Sequence, residues 1–255
     1  MDSRLHRAWA EGKGALNGWL SIPSTVTAEF MALQDFDSLT VDLQHGLVDY
    51  QTALSLFQAV EGRGPAPLAR VPWNEPGIIM KLLDAGAMGI ICPMINTADD
   101  AKKFVGACRY HPDGYRSTGP TRAGLIYPNY FPQANKSIVT LAMIETVEAV
   151  GNVDAICATP GLTGVYVGPS DLAVSMLKSP GMDPTDPEVV ANIDKILAAV
   201  KKAGLKAGIH CLTAAYSRKM VEKGFDFVTL ASDVRMFLNA ASGDVKTYRD
   251  LEAKR

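Results

Sequence analysis

Nowhere in the chain do about 20 consecutive apolar residues occur, the length a helix needs to cross a bilayer, so no membrane partner is expected. The opening stretch "MDSRLHRAWAEGKGALNG" lacks the apolar region of a secretory signal, and a cytoplasmic location is expected. Cysteine is scarce. Cys92, Cys108, Cys157 and Cys211 are far apart and form no C-x-x-C pair, which points to buried thiols in a reducing compartment. Neither sign of charge dominates: 25 Lys and Arg stand against 27 Asp and Glu, for a formal net charge of −2. Such a balance provides no basic patch for nucleic acid or an anionic membrane. No G-x-G-x-x-G follows an apolar run, which disfavours a dinucleotide-binding doubly wound sheet. No linker, charge run or low-complexity segment divides the 255 residues, so one domain spanning 1–255 is expected.

What the chain does have is alternation. Eight short β-rich runs occur in order: "ALNGWLSI", "SLTVDLQH", "APLARVP", "GIICPM", "VTLAMIE", "GVYVGP", "KAGIHC" and "FDFVTLA". Between them lie segments such as "YQTALSLFQAVEG", "TADDAKKFVGACRY" and "EVVANIDKILAAVKKAG", with apolar residues at three- and four-residue spacing. Near-continuous apolar strands alternating with amphipathic helices indicate a parallel sheet covered by helices. Eight such units in about 250 residues predict an α/β fold of the (β/α)8 TIM-barrel type.

In such a barrel, chemistry sits where strands end and loops begin. Those ends fall at Ser21, His45, Arg70, Pro93, Glu145, the Gly168–Asp171 break, His210 and Ala231. A histidine, an arginine and two carboxylates at four different ends are hard to assign to surface solvation. Glu145 could merely complement a helix dipole, and Ser170 or Asp171 could merely cap a helix. The sharper reading is that Glu145 and Asp171 hold one divalent cation. Two carboxylates without His or Cys favour Mg²⁺ or Mn²⁺, with Co²⁺ or Zn²⁺ as alternatives. Arg70 could form a structural ion pair, and His45 could be a hydrogen-bonded core residue. No lysine stands at a strand end, so a Schiff-base aldolase is disfavoured relative to a metal-dependent one.

Five segments, "VDLQHGLVDY", "LARVPWN", "LLDAGAMGIICPMINTADDAKKFVGACRYHPDGYRSTGP", "MIET" and "GVYVGPSDLA", together resemble the HpcH/HpaI aldolases. These are class II pyruvate aldolases of the phosphoenolpyruvate/pyruvate-binding barrel superfamily, and the resemblance runs from about residue 15 to residue 235. It implies cleavage of 4-hydroxy-2-oxoacids to pyruvate, or a close analogue such as hydroxypyruvate, and an aldehyde. Glu145 and Asp171 match the family's metal ligands. Arg70 matches the residue that stabilises the enolate oxygen, and His45 matches the proton-transfer histidine. Backbone N–H groups of Ser170 and Asp171 match those that hold the pyruvate carboxylate, beside Gly168 and Pro169. Trp19, His210 and Leu212 are assigned to substrate binding, with Tyr216 as a further influence on the acceptor.

Asp42 is implied as the orienter of His45. Residues three apart on a strand face opposite sides, so that pair requires the strand to end before Gln44. Asp84 is the other candidate, acting across a subunit contact. Segment 111–137, with Arg116, Ser117 and Arg122, is expected to reach a neighbour's site in a hexamer built as a trimer of dimers, its C-terminal helix exchanged between partners. The chain departs from better-known members at Gln44, Met143 and His210, which bears on acceptor choice. Competing readings are a CoA-ester lyase of the citrate or malyl-CoA type, a phosphoenolpyruvate-using phosphoryl transferase, and a non-catalytic oxoacid sensor.

Overall fold

In the computed structural model, which describes residues 3–253, eight parallel strands close into a barrel in sequential order. They are β1 (Ala15–Leu20), β2 (Ser38–Asp42), β3 (Ala66–Arg70), β4 (Gly89–Cys92), β5 (Val139–Ile144), β6 (Gly164–Val167), β7 (Lys206–His210) and β8 (Phe227–Ser232). Seven of the eight β-rich runs contain one of them whole, and β8 runs one residue past the eighth. Parallel pairing requires a crossover after every strand, and helices such as Tyr50–Val60, Ala98–Cys108 and Pro187–Lys202 supply it. Their starts carry the local signals that make a helix: Asp49 caps the first, Thr97 and Asp100 form a capping box, and Asp186 caps the third ahead of Pro187.

The two-residue period of a strand sorts its side chains into two separate cores. Leu20, Leu39, Val41, Ala69, Ile90, Ala142, Val165, Ile209 and Val228 pack outward under the helices. Ala15, Trp19, Ala66, Leu68, Ile91, Val139, Leu141, Met143, Tyr166 and Phe227 fill the inside. Leu5, Ala8 and Trp9 of helix Arg4–Ala10 belong to the inner core, so that helix closes the barrel's base. The same period continues to the other end. Asp42 follows Thr40, Arg70 follows Leu68, Glu145 follows Met143, Gly168 follows Tyr166 and His210 follows Gly208, so the last inward position of five strands carries the candidate chemistry.

The inside is less apolar than the sequence suggests. Asn17 Oδ1 accepts from Ser38 Oγ (2.7 Å) and Thr40 Oγ1 (3.0 Å), and Asn17 Nδ2 donates to Thr229 Oγ1 (3.0 Å). Segment 111–137 contains helices Ala123–Ile126 and Tyr130–Ser137. The C-terminal helix Asp233–Glu252 touches the barrel mainly at its start and leaves Phe237, Leu238, Val245, Tyr248 and Leu251 exposed. No described helix is long and apolar enough to cross a membrane.

Candidate active site

A cavity of about 440 Å³ opens at the carboxyl ends of the strands, and Trp19, Asp42, His45, Arg70, Gly168, Pro169, Ser170, Asp171 and His210 line it. Register brings Asp42 of β2 directly opposite Arg70 of β3. The pair is bidentate: Arg70 Nε donates to Asp42 Oδ1 (2.9 Å) and Nη2 donates to Oδ2 (2.6 Å). Trp19 Nε1 donates to Asp42 Oδ2 (3.1 Å), and the Arg70 guanidinium lies 4.8 Å from the centre of the Trp19 ring. Burial alone would raise the Asp42 carboxyl, but Arg70's hydrogen bonds and charge, with Trp19's N–H, hold it below the usual range. Asp42 therefore stays ionised and fixes the guanidinium plane, leaving the remaining N–H groups of Arg70 for the cavity.

β2 ends at Asp42, so the chain has left the strand before Gln44, as an Asp42–His45 contact requires. The contact that forms is with the main chain. Asp42 Oδ1 accepts from the N–H groups of Gln44 (3.0 Å) and His45 (3.3 Å), while its oxygens are otherwise taken by Arg70 and Trp19. The expectation of a direct orienter for the imidazole is corrected accordingly: Asp42 sets the loop that carries His45, and the exposed ring faces the cavity.

Glu145 is 2% exposed, just past β5, and its Oε1 accepts the Met94 N–H (2.8 Å). Met94 adopts the left-handed region, φ 54°, to deliver that N–H, a conformation costing on the order of 1–3 kcal/mol in a non-glycine residue. Burial first, and then the like charge of Asp171, push the Glu145 carboxyl up to about 7. Asp171 is exposed in the first turn of helix Pro169–Ser175, to which Gly168 contributes no side-chain cap. Gly168 is required by close approach: a Cβ there would lie 2.6 Å from both Glu145 Oε2 and Met143 Cε.

A buried carboxylate whose proton affinity is raised by burial and by a second carboxylate beside it forms, with that neighbour, a hard oxygen donor set of the kind a divalent cation neutralises. The residues present thus fit such an ion, held by two side chains; among the described residues no three His, Cys, Asp or Glu side chains converge.

Residues 18–240 match the model of the HpcH/HpaI aldolase/citrate lyase family. The chain belongs to this family. It is 42% identical over 250 residues to a hydroxypyruvate/pyruvate aldolase of Rhizorhabdus wittichii, covering 98% of this chain and all of that one. It is 38% identical to a 5-keto-4-deoxy-D-glucarate aldolase of Klebsiella pneumoniae subsp. pneumoniae, over 93% of each chain. A solved HpcH/HpaI aldolase/citrate lyase family protein from Burkholderia cenocepacia superposes with a TM-score of 0.86 at 31% identity, over 92% of this chain and 95% of that one. The chain is therefore a carbon–carbon lyase of the aldolase kind, and membership in the family implies a metal-dependent mechanism.

Several expected site residues of this family member lie elsewhere. Leu212 does not line the cavity, because β7 ends at His210 and the chain then turns aside, with the Leu212 N–H held by Asp183 Oδ1 (2.8 Å). Tyr216 packs partly buried against the outer core. Asp84 closes helix Pro76–Asp84 away from its own chain's cavity, where it accepts from Arg116 Nη2 (2.6 Å). Arg122 is occupied by Glu61 and the Ala85 carbonyl, while Ser117 is exposed. Ser232, Val234, Arg235 and Met182 were not anticipated, yet they line the mouth. Two pinning carboxylates were missed as well. Asp233 accepts the N–H groups of Ser21 (2.9 Å) and Ile22 (3.1 Å), and Asp183 holds the loop after β7. Strand parity could have revealed Tyr166, two residues before Gly168; nothing local in the sequence marks Asp183 or Asp233.

Proposed function

We propose that this protein is a class II aldolase that reversibly cleaves 4-hydroxy-2-oxoacids to pyruvate, or hydroxypyruvate, and an aldehyde, with Mg²⁺ or Mn²⁺ bound by Glu145 and Asp171. The observation that carries the reading is the convergence on one cavity of the Asp42–Arg70 pair, His45 and Asp171, with the buried Glu145 carboxylate packed directly against the cavity-lining Gly168. A bound divalent ion would supply Lewis-acid polarisation of the oxoacid's keto group.

The chain's own groups do the rest. The N–H groups at the start of helix Pro169–Ser175 face the pyruvate carboxylate. The free edge of Arg70, locked by Asp42 and Trp19, donates to the oxygen on which enolate charge develops and needs no reorganisation to do so. In cleavage, His45, directly or through water, takes the C4 hydroxyl proton, the C3–C4 bond breaks, and its electrons remain on the pyruvate half as the enolate. Synthesis is the reverse, with the aldehyde accepting the enolate carbon.

The exposed apolar side chains of helix Asp233–Glu252 support a homo-oligomer, for which we propose the hexamer with that helix exchanged. Asp84 and segment 111–137 would then lie at a neighbour's site. A CoA-ester lyase would need a basic surface for the nucleotide, and the aldolases among the relatives speak against it. The deciding experiment is a pyruvate-release screen over 4-hydroxy-2-oxoacids with chelator-treated enzyme and metals added back singly. Release restored by Mg²⁺ or Mn²⁺ is the expected result. Cleavage confined to CoA esters would overturn the reading.

A further inference from the structure

The side chain of His210, which lines the cavity, is wired by hydrogen bonds into the inside of the barrel. Its Nδ1 lies 2.9 Å from Tyr166 Oη. Tyr166 Oη donates its single proton to Thr229 Oγ1 at 2.6 Å, so towards His210 it can only accept. Thr229 Oγ1 also accepts from Asn17 Nδ2, whose carbonyl is occupied by Ser38 and Thr40. Close packing holds this chain in place. Tyr166 is fully buried and stacks on Trp19, and a Cβ at Gly208 would lie 2.8 Å from the Tyr166 ring. Trp19 also presents its ring to His210 at 4.8 Å and 90°.

A tyrosine oxygen that accepts makes Nδ1 the protonated nitrogen. Nε2 is then a lone-pair acceptor and the polar atom that His210 has left for the cavity it lines. We propose that His210 Nε2 accepts a hydrogen bond from a hydroxyl on the aldehyde-derived half of the substrate, selecting α-hydroxyaldehydes, and that Tyr166, Thr229 and Asn17 are positioning residues that fix its tautomer. This rests on the aldolase reading above and adds the class of acceptor to it. Burial, and then the Arg70 charge, lower the imidazole to about 4, so at neutral pH it is uncharged and accepts hydrogen bonds. An acceptor lacking the hydroxyl would leave Nε2 desolvated and unpaired, which is the strong form of discrimination.

The test joins a spectroscopic and a kinetic readout. Solid-state ¹⁵N NMR of histidine-labelled protein at pH 7, with His210 assigned by its loss in His210→Phe, should show a protonated Nδ1 and an unprotonated Nε2. In aldol addition of pyruvate, wild type should prefer glycolaldehyde to acetaldehyde in kcat/KM by roughly 10- to 100-fold, the loss typical of one unpaired buried group. Tyr166→Phe should remove both the tautomer signature and most of the preference, and Thr229→Val should do the same if the first variant folds poorly. A protonated Nε2 in wild type, or equal use of the two aldehydes while pyruvate methyl-proton exchange proceeds normally, would overturn the inference. So would a preference for hydroxypyruvate over pyruvate that Tyr166→Phe alters while the aldehyde ratio stays fixed, since the hydroxyl would then belong to the donor. Absence of pyruvate exchange in metal-loaded wild type would instead defeat the aldolase reading itself, and this inference with it.

Discussion

At the amino-terminal end of the barrel, Arg109 gives its guanidinium N–H groups to Ile138 O, Gly161 O and Thr140 Oγ1, and Asp226 accepts from the Ala207 N–H and Lys201 Nζ. At the carboxyl-terminal end, Arg70 holds Asp42 with one edge and turns the other to a cavity, Glu145 uses one oxygen on the Met94 N–H, and the Asp171 carboxylate is exposed. Both ends bury charge. At one end the hydrogen-bonding capacity is filled from within the chain; at the other, part of it is left facing a space a ligand can enter. Unfilled capacity in a rigid setting, rather than charge as such, separates a candidate active site from a structural one.

Exchanging the two kinds of residue should give opposite phenotypes, and the largest effect falls at the open end. Glu145→Ala or Asp171→Ala should abolish metal-dependent aldol cleavage with little change in thermal midpoint. Near-wild-type activity of either variant in chelator-treated buffer would remove that carboxylate from the site.

Arg70→Ala should lower pyruvate methyl-proton exchange roughly 10²–10³-fold, the cost of one oxyanion donor. It should also destabilise the fold by about 3–5 kcal/mol, because Asp42 is left as an uncompensated buried charge. Combining Arg70→Met with Asp42→Leu should restore most of the stability in urea titrations and none of the exchange. Exchange that survives the double variant would show the pair to be structural, like Arg109.

Arg109→Met tests the closed end. It should cost roughly 1–3 kcal/mol by stranding the Ile138 carbonyl, since Gly161 O keeps the Thr140 hydroxyl, with kcat/KM per folded molecule unchanged. A fall in kcat/KM would break the comparison.

The smallest effect is a pH dependence. His210 in the folded chain titrates near about 4, against an ordinary value of about 6.5 in the unfolded chain. Between those values the unfolded state binds the extra proton, so stability falls as pH drops through that window. Asp42, held low when folded, adds a loss at lower pH, but it does so in wild type and variant alike. His210→Gln should therefore lose less stability than wild type between pH 7 and pH 5, as read from urea midpoints. An equal loss would contradict a neutral, half-buried His210.

The strands were legible because each is a short, nearly continuous apolar run stopped by a charged residue, Gly or Pro, and in a barrel buried on both faces that pattern has few other readings. The ends of those runs located Arg70, Glu145, Asp171 and His210 for the same reason. The polar interior was not legible: Asn17, Ser38, Thr40 and Thr229 sit among apolar neighbours; the β1–β2 register brings Asn17 beside Ser38 and Thr40, and closure of the barrel brings it beside Thr229. Asp42 was noticed for its nearness in sequence to His45, whereas its main partner, Arg70, lies across a strand pair that only the register reveals. Leu212 was misplaced by two residues at a strand end, where one position past the last inward side chain leaves the barrel altogether. Helix Arg4–Ala10 is only about two turns long, too brief for periodicity to register.

That helix has a kinetic consequence. Its Leu5 and Trp9 join the strand side chains that fill the inside of the barrel beneath the site, so the cavity is a well that opens at the carboxyl ends of the strands. On the aldolase reading proposed above, the pyruvate half would lie at the bottom, beside buried Arg70 and Glu145, and the aldehyde half above it, towards exposed Arg235. Two molecules in a one-ended well exchange in a compulsory order. Pyruvate enters first in synthesis and departs last in cleavage, so as a product inhibitor of cleavage it should compete with the oxoacid, whereas the aldehyde should inhibit noncompetitively.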